Sequence, residues 1–373
     1  MLGIMHIHLS SRSNLARKIC HCAFVGALIG SAPTLAETKF QDPLDSPAVM
    51  RTAVNTRPLM AITYAGAQLI AVGSRGMIAR SEDQGKSWSQ SAVPVQSDLL
   101  AVHFPTALDG WAVGHDGVIL HSSDGGKNWV KQLDGRIAAE TFKKYYAAQA
   151  AIPQITEVIG QLKRNYKAGP ALPWLGVWFE DAKKGFVVGS YGMIAATVDG
   201  GKTWEPWLHR IDNDHLQPLN LNCIREIGEN LYIGSERGMV FKLDRGQQRF
   251  DKTATGYVGS FFGIVGNADT LLALGLRGVV YRSGNGGASW EGLKMATEAT
   301  VTAGAVSRAA AGGVVLVNSA GQILLSNAQM RSFSVVHPDK PMRYTGVVLT
   351  NQGAAVVTGL DGVRTETLIG KVQ

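Results

Sequence analysis

Short apolar runs of four to six residues, separated by breaks rich in glycine, aspartate and asparagine, recur along most of this chain. In one stretch, Leu99-Leu100-Ala101-Val102-His103-Phe104 is followed by Gly110-Trp111-Ala112-Val113 and Val118-Ile119-Leu120-His121, and a fourth run begins at Trp129-Val130-Lys131. Runs this short, bounded by turn formers at even spacing, predict β-strands. Strands buried on both faces read as unbroken apolar runs, so the pattern predicts sheets packed face to face.

The breaks repeat as well. Between the second and third runs stands Gly-x-x-Gly, and between the third and fourth stands Ser/Thr-x-Asp-x-Gly-x-x-Trp. Three copies are clear: Gly73 and Gly76 with Ser81, Asp83, Gly85 and Trp88; Gly114 and Gly117 with Ser122, Asp124, Gly126 and Trp129; Gly189 and Gly192 with Thr197, Asp199, Gly201 and Trp204. Worn copies start at Gly234, leading to Lys242, Asp244 and Gly246; at Gly275, leading to Ser283, Asn285, Gly287 and Trp290; and at Asn318, leading to Ser326 and Phe333. Gly359 and Gly362 mark a seventh. The starts are 41, 75, 45, 41, 43 and 41 residues apart. With about 33 extra residues removed from the long interval, the period is about 42, that of a four-stranded propeller blade.

The chain is therefore expected to be all-β: a seven-bladed β-propeller with Asp-box repeats over residues 48–373, carrying a helical hairpin insertion between blades two and three. Three strands stand in the seventh unit's own stretch, and the segment 48–54 is expected to supply its outer strand and close the ring.

Repetition also decides what the box residues do. Ser and Thr hydroxyls and the Asp carboxylate suit hydrogen bonding to a tight turn's own backbone, and Gly supplies positive φ. Each Trp is expected to bury its ring against a neighbouring blade, a contribution of about 2–3 kcal/mol by area. A residue needed in every blade is explained by the blade, not by one active site.

Residues 136–167 lose the strand pattern. Residues 138–152 are alanine-rich with Phe142, Tyr145 and Tyr146 near one side, while Ile155, Val158, Ile159 and Leu162 fall at helical spacing, so two short helices divided around Pro153 are expected. Lys143, Lys144, Lys163, Arg164 and Lys167 decorate them. As a connection from a fourth strand to the next blade's first, the hairpin belongs on the face opposite the Asp boxes. Two readings stand: a lid with solvated lysines, or a docking element for a partner.

The first 36 residues have the makeup of a secretory signal peptide: Arg12, Arg17 and Lys18, then the apolar run 23–29, then small residues ending at Ala36. Residues 37–47 read as an N-terminal extension. Cleavage would leave 33 basic against 29 acidic residues and a single cysteine, Cys223, so no intramolecular disulfide is expected. The mild basic excess lacks the basic, aromatic-interleaved run of a nucleic-acid binder. No later stretch approaches about 18 consecutive apolar residues, so a soluble mature chain is expected.

The fusion of Val-Gly-x-x-Gly-x-Ile to the Asp box is narrower than the box alone. Val72-Gly73-Ser74-Arg75-Gly76-Met77-Ile78, Val113-Gly114-His115-Asp116-Gly117-Val118-Ile119 and Val188-Gly189-Ser190-Tyr191-Gly192-Met193-Ile194, with Asp-Gly-Gly-Lys-x-Trp at 124–129 and 199–204, resemble the Ycf48/Hcf136 family of photosystem II assembly factors. The resemblance covers residues 48 to 370 and is strongest in blades one to three. It implies a non-catalytic, seven-bladed, monomeric propeller on the lumenal or periplasmic side of a membrane, binding an immature membrane subunit. In a non-photosynthetic bacterium it implies another membrane complex, with a resistance-nodulation-division transporter the first choice. The chain departs from the pattern in two places. Cys20 and Cys22 precede the leader's apolar run instead of ending it as a lipoprotein cysteine would, and the insertion is extra.

The resemblance also implies an arginine-bearing patch. The turns between second and third strands place Arg75, Arg237 and Arg277 at matching positions of blades one, four and five, and the patch is carried to them. Arginine's fixed fork of donors suits an acidic ligand. A sialidase-type glycosidase is the enzymatic alternative, and it needs three arginines converging on a substrate carboxylate. The expected innermost strands, with blade four's read as residues 221–224, carry none. No cluster has metal-ligand spacing, and no cofactor is expected.

Overall fold

A computed structural model of the chain describes residues 41–149, 151–307 and 312–368. The leader expected over 1–36 and the start of the extension lie outside these residues. Each repeat folds as an antiparallel sheet whose strands pair in sequence order, giving six four-stranded sheets and one three-stranded sheet. The innermost strands follow one another around a ring, and that of blade seven lies against that of blade one. They are Leu59–Ala65, Leu99–His103, Trp174–Phe179, Leu221–Ile227, Phe261–Gly266, Val301–Val306 and Tyr344–Leu349. All seven begin at the residue that opens the corresponding apolar run in the sequence. Blade four's runs three residues further and takes in Arg225, so the reading of an arginine-free set is corrected: one innermost strand carries an arginine.

Every innermost strand slips register near its second residue, as between Leu221 and Cys223 in blade four and Tyr344 and Gly346 in blade seven. Such a bulge frees a side chain from the ladder. In blade four Asn222 uses that freedom to donate its Nδ2–H to the carbonyl of Phe261 in blade five, at 2.9 Å. Thr345 of blade seven donates to the carbonyl of Leu59 in blade one in the same way, at 2.7 Å. The ring is thus closed by the contact that joins ordinary neighbours.

This explains a second correction. The segment 48–54 supplies no strand to blade seven, whose described part has only three. The segment lies along blade one instead: Ala48 N–H donates to Val93 O at 2.9 Å, and Gln90 exchanges side-chain hydrogen bonds with Val49 and Arg51. Ala48 is buried with Val93 and Val95 in one apolar cluster, which holds the segment there. Only Val54 turns toward blade seven, packing with Val356 and Val363.

The boxes form the expected turns. Ser122 Oγ donates to Asp124 Oδ1 at 2.9 Å and accepts from Gly126 N–H at 2.9 Å, while Asp124 Oδ1 accepts from the N–H groups of Lys127 and Asn128. The same bonds recur around Asp83, Asp199 and Asn285. Trp129 meets Phe104 of its own blade edge-on, centroids 5.7 Å apart, within a cluster that includes Ile70 and Val72 of blade one. Gly126 (φ 84°) presses so closely on Ile70 of the preceding blade that a Cβ there would collide with it. Blade four departs from the pattern. Its second strand ends at Ser235, so its turn begins one residue later than Gly234, and Asp244 caps a plain hairpin by accepting from Gly246 N–H at 2.8 Å.

The insertion forms α1 (Gly135–Ala147) and α2 (Ile155–Asn165). Asp134 caps α1 by accepting from the N–H groups of Arg136 and Ile137. Phe142, Tyr146, Val158 and Leu162 are almost fully buried in one cluster with Trp174, Met193 and Leu208 of the ring. Tyr146 Oη donates to Pro206 O at 3.0 Å, and Gln161 Nε2 to Tyr191 O at 2.8 Å. The hairpin is thus a packed cap over blades two and three, on the face of the Gly-x-x-Gly turns.

Candidate functional site

Two surfaces differ from blade to blade: the face of the Gly-x-x-Gly turns and the central channel. On the turn face, Arg75, Asp116, Tyr191, Arg237 and Arg277 occupy one position of the turn, with φ between 52° and 58°, each followed by a glycine of positive φ. A left-handed conformation costs a residue with a side chain about 1 kcal/mol or more. The local frame enforces it: Arg75 N–H donates to Asp98 Oδ1 and Tyr191 N–H to Asn220 Oδ1, both at 2.7 Å. All three predicted arginines stand in equivalent turns, exposed, and among the described residues none forms an ion pair.

The structure does not gather them into one trio. Blade one lies across the ring from blades four and five. Arg75 instead shares a cavity of about 270 Å³ with Arg51 and Arg57, together with Val49, Pro58 and Gln96. Arg237 and Arg277 sit on adjacent blades, with Val258, 90% exposed, in the connection between them. Sequence reasoning missed Arg51 and Arg57. Arg51 stands in the segment that the sequence pattern offers as a strand of blade seven, and the only available signal is two arginines just ahead of the first strand.

The insertion's cations do not line the arginine cavity. Lys143 pairs with Glu140 at 3.1 Å on the same helix. Arg164 donates to the carbonyl of His215, beside a groove of about 670 Å³ that Tyr191 and Leu216 also line. Lys144 and Lys163 are exposed and outside every ion pair among the described residues. The box residues Ser81, Asp83, Ser122, Asp124, Thr197, Asp199, Ser283 and Asn285 are spread around the opposite face, each bound within its own turn.

The channel is a cavity of about 240 Å³ lined by all seven innermost strands. Among the described residues, its titratable lining groups are His103, Cys223 and Arg225. His103 Nδ1 accepts from Phe179 N–H at 3.1 Å, which fixes the neutral Nε2–H tautomer. Burial, helped by Arg225, pushes its pKa down to about 3. Burial raises the Cys223 thiol to about 11 and lowers Arg225 from its ordinary value. One arginine falls short of the three that a sialidase site requires. Among the described residues no group of three or more His, Cys, Asp or Glu is placed to hold a metal, and no helix is long and apolar enough to cross a membrane.

The ring thus carries box turns bonded within themselves on one face and, on the other, exposed arginines outside the ion pairs among the described residues. Its particular kind comes from comparison with known proteins. A family model described as photosynthesis system II assembly factor YCF48 matches residues 26–160 and 170–341, and the chain belongs to that family. No curated protein matches it in a sequence search. Among solved structures it is similar to YCF48 bound to D1 peptide, with a TM-score of 0.60 and 16% identity over 88% of this chain and 99% of that one. It is also similar to YCF48 from Cyanidioschyzon merolae, with a TM-score of 0.58 and 15% identity over 85% of this chain and 97% of that one. The WD40 propeller domain of Doa1 has a TM-score of 0.57 at 9% identity, covering 88% of this chain and 97% of that one. At these identities the structural likeness establishes the fold alone.

Proposed function

We propose that this chain is a non-catalytic assembly factor that holds a segment of a membrane protein on its turn face. The family match over most of the chain supports the reading, and a solved relative is a YCF48 bound to D1 peptide. The observation that carries it to particular residues is the cavity where Arg51, Arg57 and Arg75 converge without a carboxylate among its lining residues. Three guanidinium forks around one cavity suit an acidic, extended peptide or chain terminus. Arg237 and Arg277, and the insertion's Lys144 and Lys163, extend the cationic surface and would steer such a partner.

The expected place of action is the periplasm or thylakoid lumen, on the strength of the leader's makeup. No observation favours a transporter-type partner or glycoside hydrolysis. The test is crosslinking in intact cells with a photoreactive residue at Gln96, beside the arginine cavity, followed by identification of the captured protein. An integral membrane protein captured from the exported side supports the proposal. Capture confined to cytosolic proteins, or capture unchanged when Arg51, Arg57 and Arg75 are all glutamine, would overturn it.

A further inference from the structure

Arg225 has no place in a turn-face contact. It stands fifth in an innermost strand that runs from the turn face toward the Asp-box face, so it lies near the Asp-box mouth of the channel. Thr63, His103 and Trp178 hold the fifth position of their own strands and form a layer with it. The His103 and Trp178 rings are 6.5 Å apart. Arg225 lines the channel inside the ring with part of its side chain exposed, yet among the described residues it has no ion pair or hydrogen-bond partner. Among the described residues that line the channel there is no Asp or Glu, and the carboxylate that reaches Trp178 from outside the lining, Glu226, is paired with Arg245 at 3.6 Å. A lone cation in a narrow, low-dielectric well focuses its field on the well and draws anions into it.

The donors narrow the choice of anion. Arg225 presents a planar fork, the match for a two-oxygen carboxylate. His103 adds a single neutral donor, because its Nδ1 is engaged by Phe179 N–H and Nε2–H has no acceptor among the described residues. A tetrahedral dianion would call for more positive charge than this layer holds. Ile62, Val102 and Val177 line the same cavity and offer apolar contact to a short hydrocarbon chain. At about 240 Å³ the space falls below the roughly 300–1,000 Å³ of drug-sized sites, so the ligand is small.

We propose that the Asp-box mouth of the channel binds one small free carboxylate, forked by Arg225 and steadied by His103 Nε2–H. This site is separate from the arginine cavity of the turn face and does not depend on the partner proposed there.

Isothermal titration calorimetry of the full chain with butyrate at low ionic strength tests the proposal. Binding of one butyrate per chain is expected, with a Kd below about 1 mM, weakened at least about tenfold by Arg225→Gln and unaffected by Arg75→Gln. Phosphate and chloride should compete poorly. Absence of binding at millimolar butyrate, equal binding of chloride or phosphate, or loss in Arg75→Gln with none in Arg225→Gln would each overturn it. Should Arg225→Gln fail to fold, the His103 ring resonances of the unmutated protein, assigned through His103→Gln, give a second readout. They should shift on saturation with butyrate, and unmoved resonances would overturn the proposal.

Discussion

Arg136 grips Asp45 with both terminal nitrogens, each 2.9 Å from a carboxylate oxygen, while its Nη2 also reaches the buried Asp134 at 2.8 Å. One guanidinium thereby ties the segment before the ring to the cap of α1. The hydrogen bond from Arg136 holds Asp45 at about 2. Burial pushes Asp134 upward, but hydrogen bonds from Arg136 and Lys131 outweigh it and leave that carboxyl at about 2 as well. A carboxylate with a lowered folded pKa adds stability above its unfolded value, near 3.8, that is lost as pH falls through the folded value. Melting temperature should therefore drop between about pH 4 and pH 2, and the drop should be shallower in Arg136→Gln. Thermal melts across that window check it. Asp134→Ala, which also removes the α1 cap, should cost about 1–2 kcal/mol at neutral pH.

The burial of the insertion's inner face sets the next expectation. Phe142 is fully buried and Tyr146 and Leu162 almost so, under the ring's own Trp174 and Leu208. Deleting residues 138–166 would bare that cluster, so a deletion cannot separate docking from folding. Phe142→Ala should cost about 3–4 kcal/mol in chemical denaturation. Lys144→Glu with Lys163→Glu should stay within about 0.5 kcal/mol of the parent. If the hairpin also docks a partner, the double charge reversal should weaken capture while the melting curve stays put.

The seven blades, the start of every innermost strand and the placement of the hairpin were legible because they rest on spacing: glycine turns, box residues and a 3.6-residue period. Contacts between segments distant in sequence were not legible. Nothing local tells Ala48 to pack beside Val93 in place of pairing with blade seven, and the Thr345 bond to Leu59 that closes the ring spans nearly the whole propeller. For the same reason Arg75 was grouped with its sequence equivalents Arg237 and Arg277, whereas the ring places it beside Arg51 and Arg57. Arg225 escaped notice because strand ends are set by the pairing partner. Its ladder neighbour Tyr232 extends the strand past the apolar run.

The Asp boxes should prove structural when tested singly. Asp124→Ala removes the acceptor of four hydrogen bonds, from Ser122 Oγ, the N–H groups of Lys127 and Asn128, and Asn128 Nδ2. A loss of about 1–3 kcal/mol is expected in denaturant titration. The ring should still close, because blade four manages with a simple hairpin at Asp244. Binding of an acidic peptide at the turn face should not change, and a loss of that binding without loss of stability would contradict the division of labour between the two faces.

The left-handed arginines allow stability and function to be separated. Arg75, Arg237 and Arg277 hold φ of 56°, 53° and 53°, a conformation that glycine adopts without strain. Their side chains form no ion pair among the described residues, so replacement sacrifices no native salt bridge. Against relief of about 1 kcal/mol or more stands the larger entropy of glycine in the unfolded chain, about 0.5–1 kcal/mol. Each Arg→Gly change should thus leave stability unchanged or raise it by up to about 1 kcal/mol. Arginines kept for structure would show the opposite, a fall in melting temperature. If they are kept for a ligand, Arg75→Gly should weaken capture of an acidic peptide at least about tenfold at low salt. The difference between Arg75→Gly and the parent should shrink as salt screens the contact. Parallel melting and binding measurements on the three single variants decide the matter. A destabilised Arg75→Gly with undiminished binding would remove this arginine from the site.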